Sequence, residues 1–147
     1  MIAIVIPGTP IPKARARTTR FGTHTPEKTK QAEERAVYYW QKAGSPCMPP
    51  RTPLMVDLVF RFKRSPSHTR KDGSLTPAGV HAGVERPISK ALGDGDNLEK
   101  LVLDALNGRA YEDDSLIVDQ RARKFWADDE HPESTVILIR PIPQEGP

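Results

Sequence analysis

Asp94-Gly95-Asp96-Asn97-Leu98-Glu99-Lys100 begins the most regular segment of the 147-residue chain. Over residues 98–106, apolar residues recur at the i, i+3, i+4, i+7 spacing of an amphipathic helix. Asp94 or Asp96 can cap the start of this helix, because a carboxylate there accepts backbone N–H groups that lack a partner within the helix. Asn107-Gly108 predicts its end, since both residues tolerate the left-handed conformation of a C-terminal cap.

The polar side of this helix combines carboxylates with a lysine. Asp96, Lys100 and Asp104 fall opposite the apolar positions, and a second acidic cluster, Glu112-Asp113-Asp114, follows shortly after the helix. Hard divalent cations such as Mg²⁺ prefer oxygen ligands, so converging carboxylates form a partial cage for them. An ion held there can activate a water for attack on a phosphodiester, with Lys100 as a fixed positive donor.

A structural explanation of these carboxylates exists as well. Acidic residues at a helix start are often only caps, and Asp-Asp pairs are common in exposed turns. We favour a metal site because the two acidic clusters flank one short helix whose polar side carries Lys100.

Three motifs follow one another along this part of the chain: DGDNLEK at 94–100, LDALNG at 103–108 and YEDD at 111–114. Together they resemble the RusA family of Holliday-junction resolvases. The resemblance is dense over residues 94–124 and thinner over the basic N-terminal arm and the helix after it. It implies a homodimeric, Mg²⁺-dependent endonuclease, with Mn²⁺ as a substitute for Mg²⁺, that nicks four-way DNA junctions symmetrically in recombination and repair.

The resemblance also assigns roles to individual residues. Matched position by position, it implies that Asp94, Asp96 and Asp114 bind the metal and that Lys100 is the catalytic lysine. Asp113 matches the less essential partner of the acidic pair and would support the metal.

The chain departs from the family pattern at three positions. Many members have Pro and an apolar residue where this chain has Gly93 and Gly95, and Leu116 stands in place of the usual Gln. The glycines bear on the rigidity of the loop more than on metal binding, since every carboxylate is present.

Composition predicts a single domain spanning residues 1–147, because this length supplies one modest core. The single Cys47 excludes an intramolecular disulfide framework or a cysteine-built zinc site, and it indicates a reducing cytoplasm. No apolar run approaches a membrane span, and the N-terminus lacks a secretory leader. We therefore expect a cytoplasmic protein, and the resemblance implies that it is encoded by a bacterium or a phage.

Basic residues are concentrated in three segments although the net charge is only +3. An arm at 9–25 contains no acidic residue, a long loop at 64–93 is net basic, and a late strand adds a third patch. We predict that these segments bind DNA phosphates, as basic flexible segments do. The predicted DNA-binding residues are Lys13, Arg15, Arg17 and Arg20 in the arm, Arg70 and Lys71 in the loop, and Arg121, Arg123 and Lys124 in the strand.

The predicted fold is α+β, with a small mixed or antiparallel sheet of about four strands packed against two main helices. The strands are predicted at 2–6, 54–63, 116–126 and 134–140, the last of them central. The other helix is predicted to start at a Thr25 cap and continue to Gly44. Residues 64–93 lack periodicity and are expected to form a mobile loop. Residues 141–147 are expected to form a proline-rich tail. Asp57 is expected to pair with Arg61.

Two other functions remain open at this point. A metal-dependent nuclease acting on other branched DNA, such as flaps or replication forks, would use the same residues. A DNA-binding protein without catalysis would use the carboxylates only as caps and solvated turns, and Asp96→Asn would then leave every DNA activity unchanged.

Overall fold

The protein is described by a computed structural model over residues 1–15 and 17–144, in which Arg17 is described by its backbone alone. A four-stranded mixed sheet, a separate two-stranded hairpin and α-helices make up this part of the chain, which confirms the predicted α+β class. The strands are β1 (Ile2–Pro7), β2 (Arg17–Thr19), β3 (Gly22–His24), β4 (Leu54–Phe62), β5 (Ile117–Trp126) and β6 (Ser134–Pro141). The helices are α1 (Glu27–Lys42), α2 (Pro77–Ala82) and α3 (Gly95–Leu106).

The main sheet has the strand order β1-β6-β4-β5. Strand β6 runs antiparallel to both β1 and β4, so the prediction of a central last strand is confirmed. Strands β4 and β5 are parallel, and a parallel pair needs a long crossover connection. That connection contains α2 and α3, which places the start of β5 immediately after α3 and its acidic turn.

The core lies between one face of the sheet and the helices α1 and α3. Strand β4 alternates as predicted, with Leu54, Val56, Leu58, Phe60 and Phe62 buried at every second position. The apolar side of α3 packs on that face, and burying a Leu-sized side chain contributes about 1.5–3 kcal/mol. Helix α3 is therefore held rigidly, and its polar side is presented at the sheet edge formed by β5.

Helix α1 begins one residue later than the cap prediction implied. Pro26 occupies the N-cap position with an extended ψ of 142° and makes no side-chain capping bond, so Thr25 is not the cap. The helix ends at Lys42, and Gly44 follows with a φ of +99°, in agreement with the predicted end at that glycine.

The basic arm, which we predicted as a flexible segment, contains regular structure. Its second half forms the β2–β3 hairpin. Its first half is bound to the helices, because the Lys13 N–H donates to the Asn97 carbonyl at 2.9 Å and the Ala14 N–H donates to Thr29 Oγ1 at 3.1 Å. The arm thus connects the start of α3 to a hairpin.

The expectation that residues 64–93 lack structure is wrong. They contain α2 and two 3-10 turns, at Pro66–His68 and Lys90–Leu92. The Arg64 guanidinium donates to the backbone carbonyls of Gly83 and Val84, both at 2.7 Å. These bonds organise the segment by polar contacts that hydrophobic periodicity does not reveal.

Two further findings concern the ends and the helices of the chain. Of the predicted tail at 141–147, Pro141 completes β6, residues 142–144 follow it, and the rest lies outside the described residues. Among the helices of residues 1–15 and 17–144, none has the length and apolar character needed to cross a membrane.

Candidate active site

Asp94 is the N-cap residue of α3. Its Oδ1 accepts the Asn97 backbone N–H at 2.8 Å, and its Oδ2 lies 3.4 Å from the Asn97 side-chain amide. The carboxylate is therefore engaged in capping, as the sequence allowed, while it stays exposed to solvent. Each carboxylate oxygen accepts more than one bond, so capping leaves Asp94 able to bind a further ligand.

An open depression of about 200 Å³ lies between α3 and the start of β5. Asp96, Lys100 and Asp114 all line it, so the structure brings together three of the four residues predicted to act in catalysis. Asp94, the fourth, does not line it and is the N-cap of α3, two residues before Asp96. The complete lining consists of Asp96, Glu99, Lys100, Leu103, Asp104, Asp114, Ile117 and Gln120.

The second acidic cluster is positioned by Tyr111. The Tyr111 side chain is fully buried, and its hydroxyl donates to the backbone carbonyl of Leu103 on α3. The 3-10 turn Asp114–Leu116 follows, and Asp113 caps it by accepting the Ser115 N–H at 3.0 Å. This hydrogen bonding with Ser115 holds the pKa of Asp113 below its usual range. Asp113 thus acts on its own turn, while Asp114 faces the depression.

Sequence reasoning missed Glu99 and Gln120 as members of the site. Burial raises the pKa of Glu99 above its ordinary value and the charge of Asp96 raises it further, against the opposing effect of a hydrogen bond with Gln120. Glu99 could have been found from spacing, since it lies three residues after Asp96 and four before Leu103, on one helical stripe. Gln120 could not, because its place depends on the pairing of β5.

The donor set of the depression fits a magnesium ion that is completed by its substrate. Four carboxylates line it, from Asp96, Glu99, Asp104 and Asp114. Within residues 1–15 and 17–144, however, no three His, Cys, Asp or Glu side chains stand close enough together to hold a metal ion by themselves. Mg²⁺ commonly takes one or two protein carboxylates and fills its remaining positions with waters and substrate phosphates. The residues present satisfy that requirement.

Two of the predicted DNA-binding residues are already paired within the protein. Lys13 Nζ lies 2.6 Å from Asp104 and 3.2 Å from Glu33. Arg123 lies 3.2 Å from Asp57, so the prediction that Asp57 pairs with Arg61 is wrong. Arg123 comes from the neighbouring strand, and the register of β4 with β5 brings the two side chains together.

The other predicted DNA-binding residues differ in exposure. Arg70 donates to the Leu75 carbonyl and helps close its own turn, whereas Lys71 is exposed beside it. Arg121 is exposed on β5 and Lys124 is half-buried. In the arm, Arg15 and Arg20 are exposed, while the Arg17 side chain lies outside the described residues. Their contact with DNA stays a prediction.

The fold is α+β, and the site is an acidic, lysine-containing depression at a sheet edge, of the kind that supports metal-assisted phosphodiester chemistry. The chain belongs to the RusA endodeoxyribonuclease family, whose model matches residues 7–139. It is also 40% identical over 92 residues to the uncharacterized protein YqaN of Bacillus subtilis (strain 168). That similarity covers 61% of this chain and 58% of YqaN, so the match spans little more than half the length of this relative.

Proposed function

We propose that this protein is a Mg²⁺-dependent endonuclease that resolves four-way DNA junctions by paired, symmetric nicks. The observation that carries the proposal is the placement of Asp96, Lys100 and Asp114 around one depression. These residues belong to the segment over which the chain matches the RusA family. A family of endodeoxyribonucleases and an acidic depression with a lysine point to the same chemistry.

The carboxylates and the lysine have separate roles in this proposal. Asp96 and Asp114 would hold Mg²⁺, or Mn²⁺ in its place, with Asp94 beside them and Asp113 as support. The chemistry that Mg²⁺ would supply there is a water of lowered pKa and neutralisation of the charge that develops on the phosphodiester. Lys100 lies one helical turn after Asp96, where its ammonium can donate to a phosphate oxygen and stabilise the transition state.

The basic residues and the assembly follow from the proposed substrate. Exposed cations such as Arg15, Lys71 and Arg121 would neutralise phosphates of the DNA arms around the depression. A four-way junction presents two equivalent strands for cleavage. A homodimer with two such depressions has the same two-fold symmetry, and each subunit would then cut one strand.

Two observations favour a second candidate, a DNA-binding protein without catalysis. In the described part of the chain no three acidic side chains converge on one point, and Asp94 and Asp113 both have capping roles. If the other carboxylates were equally structural, Mg²⁺ would be dispensable. This candidate and the nuclease make opposite predictions for Asp96→Asn.

The decisive experiment compares cleavage of a synthetic four-way junction with cleavage of a linear duplex of matched sequence. The purified protein is incubated with each DNA in Mg²⁺ or in EDTA, and binding is measured in parallel by gel shift. The variants are Asp96→Asn and a matched control, Asp129→Asn, whose exposed carboxylate lies between β5 and β6. Both substitutions remove one negative charge and leave the side chain nearly isosteric.

The proposal predicts paired nicks at the junction that are lost in EDTA and in Asp96→Asn, while Asp129→Asn cuts normally and both variants still bind. Equal cutting by Asp96→Asn would overturn the assignment of the depression. Binding without cutting by the wild type would support the second candidate. The same assay with flap and fork substrates tests the remaining nuclease alternative: faster cutting of these than of the junction would keep the chemistry and change the substrate.

A further inference from the structure

The β2–β3 hairpin ends in a two-residue tip that presents an aromatic ring to solvent. Thr19 pairs with Gly22, so Arg20 and Phe21 form the turn between the strands. The Phe21 side chain is 87% exposed, the highest exposure among the large apolar residues of the described chain. The Arg20 guanidinium lies over the Phe21 ring, with its carbon 4.8 Å from the ring centroid.

The tip has a defined shape. The Phe21 N–H donates to Thr19 Oγ1 at 3.2 Å, and the same hydroxyl lies 3.3 Å from the Gly22 carbonyl. Gly22 adopts a φ of +118°, a conformation that favours glycine. The Thr18 and Thr23 hydroxyls lie 3.2 Å apart across the strands. These contacts hold the two strands in register below the exposed ring.

Every charged residue in the sequence segment that carries the ring is positive. The first acidic residue of the sequence is Glu27, so the arm that carries the hairpin contains only cations and neutral residues. A cationic segment is attracted to a polyanion, and an exposed aromatic ring within it can stack on nucleic-acid bases. Phe has no hydrogen-bonding group, so such stacking depends on access to a base face rather than on base identity.

The arm that leads into the hairpin is anchored at the depression. Lys13, four residues before β2, contacts Asp104 at the depression's edge. The chain extends at most about 3.6 Å per residue, so Phe21 lies within roughly 30 Å of Lys13. That distance corresponds to about nine base pairs of B-form DNA. The ring and the depression are therefore close enough for one DNA arm to extend past both.

We propose that Phe21 is a specificity-determining contact that stacks on an unpaired or unstacked base of branched DNA, while Arg20 pairs with the neighbouring phosphate. Inserting a ring between intact base pairs requires unstacking them, at a cost that a branch point reduces. The contact therefore favours branched over fully paired DNA. This inference rests on the proposed function for its substrate, but the contact itself needs no cleavage.

The test measures binding in EDTA, so that catalysis plays no part. Dissociation constants are determined for a four-way junction and for a matched linear duplex. A second readout is the fluorescence of 2-aminopurine placed at the centre of the junction, because this base reports stacking. The variants are Phe21→Ala, Phe21→Trp to restore the ring, and Arg20→Ala to remove the neighbouring charge; circular dichroism checks that each is folded.

The proposal predicts that Phe21→Ala weakens junction binding about tenfold, leaves duplex binding within about twofold and removes the 2-aminopurine signal. Phe21→Trp should restore wild-type values of junction binding, duplex binding and the 2-aminopurine signal. Arg20→Ala should weaken the binding of both DNAs and lower the salt dependence of that binding. The proposal would be overturned if Phe21→Ala left the ratio of the junction and duplex dissociation constants unchanged. It would also be overturned if the wild-type protein bound neither DNA. A wild type that never cuts but shows the Phe21-dependent signal would overturn only the proposed function.

Discussion

The hydroxyl of Tyr111 donates a hydrogen bond to the backbone carbonyl of Leu103, and this bond joins the two walls of the candidate active site. Leu103 lines the depression from α3, and Asp114, three residues after Tyr111, lines it from the other side. The position of Asp114 relative to α3 therefore depends on a fully buried tyrosine that does not itself line the depression.

Tyr111→Phe should lower the free energy of unfolding by about 1–2 kcal/mol. The ring remains and keeps its packing, but the Leu103 carbonyl loses its buried donor. Tyr111→Ala should cost about 3–5 kcal/mol, because it leaves a cavity in addition. Urea unfolding measures both values, and Tyr38→Phe, on a half-exposed ring of α1, is the control expected to change stability by less than about 0.5 kcal/mol.

The same tyrosine should make stability fall at alkaline pH. Burial raises the pKa of Tyr111 above its ordinary value of 10.0, and the charges of Asp114, Asp104 and Asp113 raise it further. Above pH 10.0 the unfolded chain releases the phenol proton while the folded chain retains it, so rising pH favours unfolding. The expected contribution is at most about 1.4 kcal/mol per pH unit.

Urea unfolding of wild type and Tyr111→Phe between about pH 9 and pH 11 tests this linkage. The wild type should lose stability more steeply than the variant, which has no phenol to titrate. Lys13 also makes stability fall as the pH rises. Burial lowers the pKa of Lys13, but its bonds to Asp104 and Glu33 outweigh burial and raise that pKa above its ordinary value. Lys13 is present in both proteins and cancels in the comparison. Parallel curves would show that Tyr111 does not titrate as described.

The elements that pack the core were predictable because their periodicity is local. Apolar residues recur at every second position in strand β4 and at every third or fourth position in helix α3. The buried side of each element can therefore be predicted from its own sequence, without knowledge of the elements packed against it. The juxtaposition of Asp96 and Lys100 follows from the same helical spacing. Their approach to Asp114 depends on the turn after α3, which the sequence indicated only as a nearby acidic cluster.

Contacts between distant segments were not predictable from periodicity. Asp57 pairs with Arg123, 66 residues away, because β4 and β5 are parallel neighbours, and the local candidate Arg61 was therefore the wrong partner. Gln120 enters the depression for the same reason. The order within residues 64–93 depends on the guanidinium of Arg64 reaching backbone carbonyls, a pattern that has no sequence period.

The two glycines beside Asp94 should respond oppositely to alanine. Gly93 has a φ of +95°, and an added Cβ would lie 2.7 Å from Pro12 Cβ, so Gly93→Ala strains the backbone and displaces the arm. We expect a loss of about 1–3 kcal/mol. Gly95, at the first position of α3, has open space around it, and Gly95→Ala should stabilise by up to about 1 kcal/mol.

Thermal or urea unfolding of both alanine variants decides between these expectations. Each is the control for the other, because both add one methyl group within three residues of the same helix start. A cost at Gly95 equal to that at Gly93 would show that the start of α3 tolerates no side chain at all. Cleavage assays on the more stable variant then test whether Gly95 limits activity.

Arg121 and Arg123 are two residues apart on β5, but their substitutions should affect different properties. Arg121 is exposed, so Arg121→Ala should weaken DNA binding a fewfold, lower the salt slope by about one and leave stability unchanged. Arg123→Ala leaves the Asp57 carboxylate, which is only 19% exposed, without its partner. We expect a stability loss of about 1–2 kcal/mol.

Salt titrations of DNA binding and urea unfolding, applied to both arginine variants, separate the two roles. Asp57→Asn combined with Arg123→Ala should recover part of the stability, since the double variant removes both charges of the pair. A reduced salt slope in Arg123→Ala equal to that in Arg121→Ala would show that Arg123 leaves Asp57 to bind phosphate.

Asp94 has a capping role that is visible in the structure and a metal-binding role that is proposed, and the two can be separated by substitution. Asparagine is as good an N-cap as aspartate, so Asp94→Asn should retain stability within about 0.5 kcal/mol. Asp94→Ala removes the acceptor for the Asn97 N–H and should cost about 0.5–2 kcal/mol. If Asp94 also binds Mg²⁺, both variants lose junction cleavage, although only one is destabilised. Cleavage by Asp94→Asn at the wild-type rate, with Asp94→Ala impaired, would assign the residue to the cap alone, because the neutral amide preserves capping but removes the negative charge that a hard cation needs.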